Sequence, residues 1–400
     1  MPTVESATFM YGVLADRPAA GVLGRYFFAS DGGLSRDSGS AWIDVIASGE
    51  RQNLLANSAF MFAQRQVPGT LTTYSSTIGR AYGADRWGIT NENASAQYAR
   101  VDTSGTPESG LNARFYGQFK KITSTGKIIA SQVIEGTEIM AVRGKTVRFQ
   151  MKAKNSVGSH TLRMALLQLA NAGTLDAIPA AFVSAFGAAG TDPTWGTNLA
   201  AVTPDSANAN SSISGSGLSC VLTSSWLQFG GTFTVPTNCK NLVAVIFTNG
   251  QPVANDIFFV SEVGLFDGYP ERLHSLDSLD YELARCRRYY FKTFNVDANP
   301  AQSAGLNTGE FRFASMVGAS TAFAGVDISA GAKMRVAPST TLYNPSANNT
   351  QVRNATLGTD CTVSSATGSG ERGPHLSATT PASTAAGNQL AVHFAFDAEL

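Results

Sequence analysis

Residues 147–154 read VRFQMKAK and alternate without a break. Val147, Phe149, Met151 and Ala153 are apolar; Arg148, Gln150, Lys152 and Lys154 are polar. Successive side chains of a strand point to opposite faces, so the pattern predicts a strand with one face in a core and one in water. Other stretches say the same. NLVAVIFTN (241–249) is a continuous, β-branched run and predicts a central strand; SSWLQFGGTFTVP (224–236) and DIFFVSEVGLF (256–266) predict two more. Helical periodicity is scarce. AIPAAFVSAFGAAG (177–190) predicts one short helix, and SLDYELARCRRYY (278–290) another. Many short strands with turns between them predict an all-β chain: a short β-rich N-terminal piece followed by two β-sandwich, jelly-roll-like domains.

Texture divides the chain at about the same places. Residues 1–50 are Gly-rich and punctuated by ASDGG and RDSGSAW. Residues 51–270 carry the repeated strand signals, and residues 271–400 form a further β-sandwich domain. The longest predicted loop, about 171–218, includes TDPTWGTNL and ANANSSISGSG. A loop of that length inside a compact domain is expected to be functional or mobile.

The densest local chemistry is RCRRYYFK (285–292), basic residues interleaved with aromatics. Single-stranded nucleic-acid binders use that mixture. The chain as a whole argues against it: Lys+Arg is 29, Asp+Glu is 29, and the net charge is zero. As an extended strand the stretch would put Cys286, Arg288 and Tyr290 on one face and Arg287, Tyr289 and Phe291 on the other. Neither face is purely basic. The rings and thiol, with Cys286, Tyr289 and Tyr290 as core, are expected to fill the interior, and the arginines to bond loop carbonyls or the preceding domain. No nucleic acid is expected as a partner.

Charged residues are only 14%, against about a quarter in ordinary domains, so neutral polar groups wet the surface. The start, MPTVESATFMYG, lacks the basic and apolar regions of a secretory signal. No run approaches the roughly eighteen apolar residues of a membrane span, and no membrane insertion is expected. Cys220, Cys239, Cys286 and Cys361 have no metal-ligand spacing and read as free, partly buried thiols, with a Cys220–Cys239 bridge as the alternative. His160, His274, His375 and His393 are scattered. No metal or cofactor is expected.

RQNLLANSAFMFAQR, DRW (85–87), SSWLQFGGTFTVP and DIFFVSEVGLFDG together resemble a carbohydrate-binding-module type of jelly roll. That module recurs in bacteriophage fibre and appendage proteins, where it is often followed by Glu-Leu-x-x-Cys-x-Arg-Tyr-Tyr, here Glu282, Leu283, Cys286, Arg288, Tyr289 and Tyr290. The closing FAFDAEL resembles the tail of the terminal β domain in such proteins. GVLGRYFFASDGGLSRDSGSAWIDV (21–45) is similar to an element near the start of phage fibre proteins, with Tyr26, Asp31 and Trp42 at its marked positions. The resemblance implies a virion structural protein: a subunit of a tail or head fibre or spike, anchored to other virion proteins through residues 1–50. It implies a homotrimer on the virion surface, assembled in the bacterial host cytoplasm, with a jelly roll that binds host surface polysaccharide. It transfers no sugar-contacting residue.

The sequence shows no Gly-x-Ser-x-Gly, His-Glu-x-x-His or phosphate loop. Asp85, Glu92, Glu108 and Glu135 are not paired by spacing as a glycosidase would need. Binding without catalysis is the expectation; a glycan depolymerase of a tailspike and a purely structural capsid decoration protein are the alternatives. A sugar site needs flat aromatic faces with polar groups at the ring edges. The candidates are Trp87 beside Arg86, Tyr98, Trp195 in the long loop, and Arg163, which points outward if Leu162 and Met164 face the core. For Trp87, core packing and sugar contact both stand. Trp195 is expected to be exposed, because Gly, Pro and Thr give it no local shelter. Trp226 reads as core, and Trp42 as packing its own turn.

Overall fold

The computed structural model describes residues 9–12, 17–22, 25–29, 34–37, 42–46, 53–75, 77–94, 96–122, 126–157, 160–170, 173–250, 253–268 and 278–399. They fall into two compact units, Met1–Asn53 and Leu54–Leu400. The fold is all-β.

The first unit is a four-stranded sheet in chain order, Phe9–Gly12, Tyr26–Ala29, Leu34–Asp37 and Trp42–Ile46; the first pair is parallel and the rest antiparallel. Its polar centre is Asp37, fully buried. The carboxylate accepts from the Gly21 and Val22 N–H groups at 3.0 and 2.9 Å and from Arg25 Nε at 3.1 Å. A buried carboxylate needs such donors to stay charged. Tyr26 is half-buried on the second strand. Trp42 opens the fourth strand, and Asp31 lies outside the described residues.

The larger unit begins with a jelly roll of two facing sheets. One runs Ser211–Ser214, Gly217–Val221, Thr161–Leu169, Asn241–Thr248, Ile128–Ile134, Gly88–Asn91, Ala81–Tyr82. The other runs Pro204–Ala207, Leu227–Thr234, Thr146–Val157, Ile257–Asp267, Phe115–Lys121, Ala96–Asp102, Thr72–Tyr74. Val147, Phe149, Met151 and Ala153 are fully buried between them. Their polar neighbours do not simply face water. Arg148 and Gln150 are buried too, and Lys152 donates to the Gly110 carbonyl at 2.6 Å and pairs with Glu262 at 2.9 Å. Trp87, Tyr98, Phe60, Phe119 and Phe258 form the aromatic end of this core. Phe60 stacks on Trp87 at 5.2 Å and Phe119 on Phe258 at 5.2 Å. Gly83 makes the cluster possible: a Cβ there would lie 2.7 Å from Ile89 and 2.8 Å from Tyr98.

The first sheet is apolar on both faces. Leu242, Ala244 and Ile246 enter the inter-sheet core, while Val243, Val245 and Phe247 join a second cluster on the outer face with Ile129, Val133, Leu167 and Phe182. That is why 241–248 reads as an unbroken apolar run. The segment expected to be a long loop supplies the cover. It holds no helix at 177–190; instead it forms the hairpin Val183–Ala185 with Thr194–Trp195, then the strands Leu199–Val202, Pro204–Ala207, Ser211–Ser214 and Gly217–Val221. Lys127, fully buried, fixes the insert through the carbonyls of Phe186, Ala188 and Thr191 at 2.7, 3.0 and 2.5 Å.

The terminal sandwich has its own core, including Met334, Val352, Leu376, Leu390, Val392 and Phe396. Its central strand, Gln389–Asp397, pairs with Tyr290–Lys292, Phe311–Ala314, Ser339–Tyr343 and Arg353–Asn354. A three-stranded sheet, Ala322–Asp327, Gly373–Thr379, Thr362–Gly370, packs beside it. All four cysteines are free and buried. Among the described residues no helix is long and apolar enough to cross a membrane.

RCRRYYFK joins the two sandwiches. It is not one extended strand: the helix Leu279–Arg287, capped by Ser278, runs into the short strand Tyr290–Lys292. An i,i+3 pair, Glu282 with Arg285 at 2.9 Å, ties this helix, and Glu282 also accepts the Asn57 N–H. Cys286 is fully buried with Ala59, Met61, Phe62 and Ala113 of the jelly roll. Arg288 pairs with Glu135 at 2.8 Å, and the Tyr289 hydroxyl donates to the same carboxylate. Tyr289 and Tyr290, 3% and 6% exposed, lie under Arg86 at 3.3 Å and Arg65 at 3.8 Å. The circuit closes at the far end of the chain. Glu399 pairs with Arg86 at 2.7 Å and Asp397 with Arg65 at 3.0 Å. Burial alone would lower both guanidinium groups; the carboxylates and tyrosines around them outweigh it and raise them.

Candidate functional site

The residues expected to touch sugar are mostly out of reach. Trp87 is 1% exposed and Tyr98 0%; both are corrected to core, Trp87 at the end of the turn before Gly88–Asn91 and Tyr98 on the strand Ala96–Asp102, each entering the cluster between the sheets. The Trp87 Nε1–H donates to the Asn57 carbonyl at 3.2 Å. Arg163 leaves the core, as Leu162 and Met164 enter it, yet its side chain is only 3% exposed. The insert covers it, with Asp192 at 3.1 Å and the Ser214 carbonyl as partners. Trp195 is half-buried rather than exposed. Its shelter is remote in sequence: Phe182 and Phe247, each 5.7 Å away. Trp226 lies outside the main core, in a cluster with Leu111 and Tyr116. Its Nε1–H and the Tyr116 hydroxyl both donate to Glu108, at 2.9 and 2.8 Å.

A cleft of about 570 Å³ opens instead in the terminal sandwich, within the usual size range of small-ligand sites. It lies where two strands meet end to end along one edge of the central strand. Tyr290–Lys292 covers residues 395–397 of the central strand, and Phe311–Ala314 covers 389–392. The Thr293 N–H donates to the Phe394 carbonyl and the Ser315 N–H to the Asn388 carbonyl. These acceptors lie an even number of residues apart, so both partners share one edge. His393 and Phe394 fall between them. His393, fully buried, stacks on Phe294 at 4.0 Å with its two nitrogens on the hydroxyls of Thr293 and Thr308. Burial lowers its pKa below the usual imidazole value, with Glu310 opposing, which favours the neutral ring.

The cleft combines ring faces with a polar rim. Phe291 and Phe311 are half-buried, and each lies 6.2 Å from the buried Phe394. Around them stand Arg287, Asn295, Arg312 and Ser329, all exposed. Glu310 is the lining carboxylate, and its lone pairs are occupied. It accepts from the N–H groups of Asn307 and Thr308 at 2.7 and 2.8 Å and from Arg312 Nε at 2.7 Å. Burial alone would raise it; the Asn307 N–H, the Arg312 guanidinium and the Thr308 N–H outweigh that and bring it to about 2. Lys292, 5% exposed, turns inward to the carbonyls of Gln64, Val296 and Ala298 and so shapes the loop at the cleft edge. Burial lowers this ammonium to about 8.

Arg287, Phe291, Arg312 and the loop around Asn295 were missed as site residues. Phe291 and Arg287 belong to the octapeptide singled out in the sequence, but the partner rings lie 20 and about 100 positions further on. Among the described residues no group of three His, Cys, Asp or Glu could hold a metal ion.

No family model matches the sequence, and no curated protein matches it. Solved structures do match in shape. A family 61 carbohydrate-binding module in complex with β-1,4-galactotriose is 10% identical, covering 54% of this chain and 99% of that one, at a TM-score of 0.28. The family 22 xylan-binding domain from Paenibacillus barcinonensis is 11% identical over 51% of this chain and 99% of its own, at 0.27. The enzymatically active domain of tailspike protein 4 of bacteriophage CBA120 is 9% identical, covering 54% of this chain but only 21% of that chain, at 0.31. The neighbours are thus β-sandwich carbohydrate-binding modules and a tailspike domain, and at such scores the likeness gives no residue here a role.

Proposed function

We propose that this chain is a non-catalytic structural subunit of a bacteriophage fibre or spike, carried on the virion surface through its first unit and binding host glycan through the cleft of its terminal sandwich. The observation that carries the glycan reading is the cleft's make-up: half-buried phenyl faces ringed by arginine, asparagine and serine. Ring faces take the apolar side of a pyranose and the rim takes its hydroxyls. The ordered motifs at 21–45, 51–65, 85–87, 224–236, 256–268 and 282–290 support the virion setting, and a trimer is the assembly such motifs accompany.

Glu310 supports binding over cleavage. Glycoside hydrolysis needs two carboxyl groups across the sugar, one holding a proton near neutral pH. A carboxylate at about 2, bonded on both oxygens, has no proton to give. The jelly roll then serves as scaffold, since the insert closes the outer face of its first sheet. Glycan arrays with the full chain test the reading: binding that is lost in Phe311→Ala while the fold is retained supports it. Reducing ends released from host polysaccharide would replace it with the depolymerase. Gold labelling of intact particles locates the protein; an unlabelled particle surface overturns the virion setting.

A further inference from the structure

We infer that the cleft takes an acidic saccharide, one whose ring carries a carboxylate, with Arg287 as the residue that reads the charge. This rests on the glycan reading above and goes beyond it.

The argument is an accounting of charge inside the cleft. Three cations line it: Arg287, Lys292 and Arg312. Arg312 is cancelled by Glu310 and further held by the Asn307 side-chain oxygen at 2.8 Å. Lys292 is spent on three backbone carbonyls and points away from solvent. Arg287 is left over. It is the last residue of the helix Leu279–Arg287, it is exposed, and among the described residues it pairs with no carboxylate. Its guanidinium carbon lies 6.0 Å from the Phe291 ring centre. The two arginines beside it in sequence differ: Arg285 is closed by Glu282 and Arg288 by Glu135. One unneutralised guanidinium above an aromatic floor is a fork for a carboxylate, and the planar pairing is bidentate. A pyranose seated on Phe291 and Phe311 would present a ring carboxylate to that fork. A neutral sugar would offer the arginine only hydroxyl acceptors, a weaker contact than the charge-assisted pair.

The test uses the full chain and titration calorimetry. The probes are oligosaccharides of hexuronic and nonulosonic acids, each paired with its carboxyl-reduced neutral form. The acidic member of at least one pair should bind about tenfold more tightly, the gain expected of one charge-assisted contact. Raised salt should shrink that gain. Arg287→Gln should erase the preference, weakening the acidic form about tenfold more than the neutral form, and Arg287→Lys should restore only part of it. Equal affinity for acidic and neutral forms, or a preference that survives Arg287→Gln, overturns the inference and leaves glycan binding standing. No binding of any saccharide overturns both.

Discussion

At the junction of the two sandwiches Arg86 is 3% exposed and ends on Glu399 and the Val133 carbonyl. At the cleft, Arg287 is exposed and ends over a phenyl ring. The two regions share the same materials, arginine and aromatic rings, and even share the octapeptide 285–292. They differ in whether the charge is cancelled. Across the junction every named arginine meets a carboxylate of the same chain. Such pairs add little net energy once desolvation is counted, but breaking one strands a buried charge. The junction therefore fixes geometry, and the cleft keeps a charge in reserve. Interleaved basic and aromatic residues can be a weld or a receptor, and only their partners tell which.

Substitutions should rank accordingly. Arg86→Ala leaves Glu399 short of its nearest partner and should lower stability by about 3–5 kcal/mol in urea denaturation; a loss under about 1 kcal/mol would mean that the junction is solvated and the contrast false. Tyr290→Ala removes a ring 6% exposed beneath Arg65 and should cost about 3 kcal/mol, read as a lowered midpoint with an unchanged denaturant slope.

Glu310 gives a smaller, pH-dependent effect. Its folded value of about 2 lies below the usual 4.5, so its contribution is complete above pH 4.5 and is lost as pH falls through 2. With the solvent at the cleft mouth discounted, that is about 1–2 kcal/mol. Glu310→Gln should flatten this part of the stability profile between pH 4.5 and 2, and identical profiles would remove Glu310 from the account. Least of all, Arg287→Gln should change stability by no more than about 0.5 kcal/mol. A large loss there would mean that Arg287 belongs to the weld after all.

The strands were legible because each sandwich face imposes a period of two: 147–154, 227–234, 241–248 and 257–267 lie where alternation or an apolar run marks them. The insert was not. Its strands are two to five residues long, too short to show a period, and its apolar residues answer to a sheet face rather than to each other. The same blindness misplaced Trp195, whose shelter comes from Phe247. Trp87 and Tyr98 looked like a sugar platform because a ring beside arginine reads alike in either setting. The cleft was beyond reach because it arises from the register of two strands on one edge, and that register depends on pairings between residues as far apart as Tyr290 and Asp397.

The closing of Arg86 by Glu399 spans 313 positions, and that of Arg65 by Asp397 spans 332. On the ribosome, the jelly roll is complete long before Asp397 and Glu399 exist, and until then Arg65 has only Asp85, at 3.8 Å, and Arg86 the Val133 carbonyl. Contacts of such long range form late, after each sandwich has condensed around its own core. Energy gained that late falls on the unfolding barrier and hardly touches the folding rate. The junction thus acts as a brake on coming apart: breaking it lowers stability and shortens the protein's endurance in time by the same step.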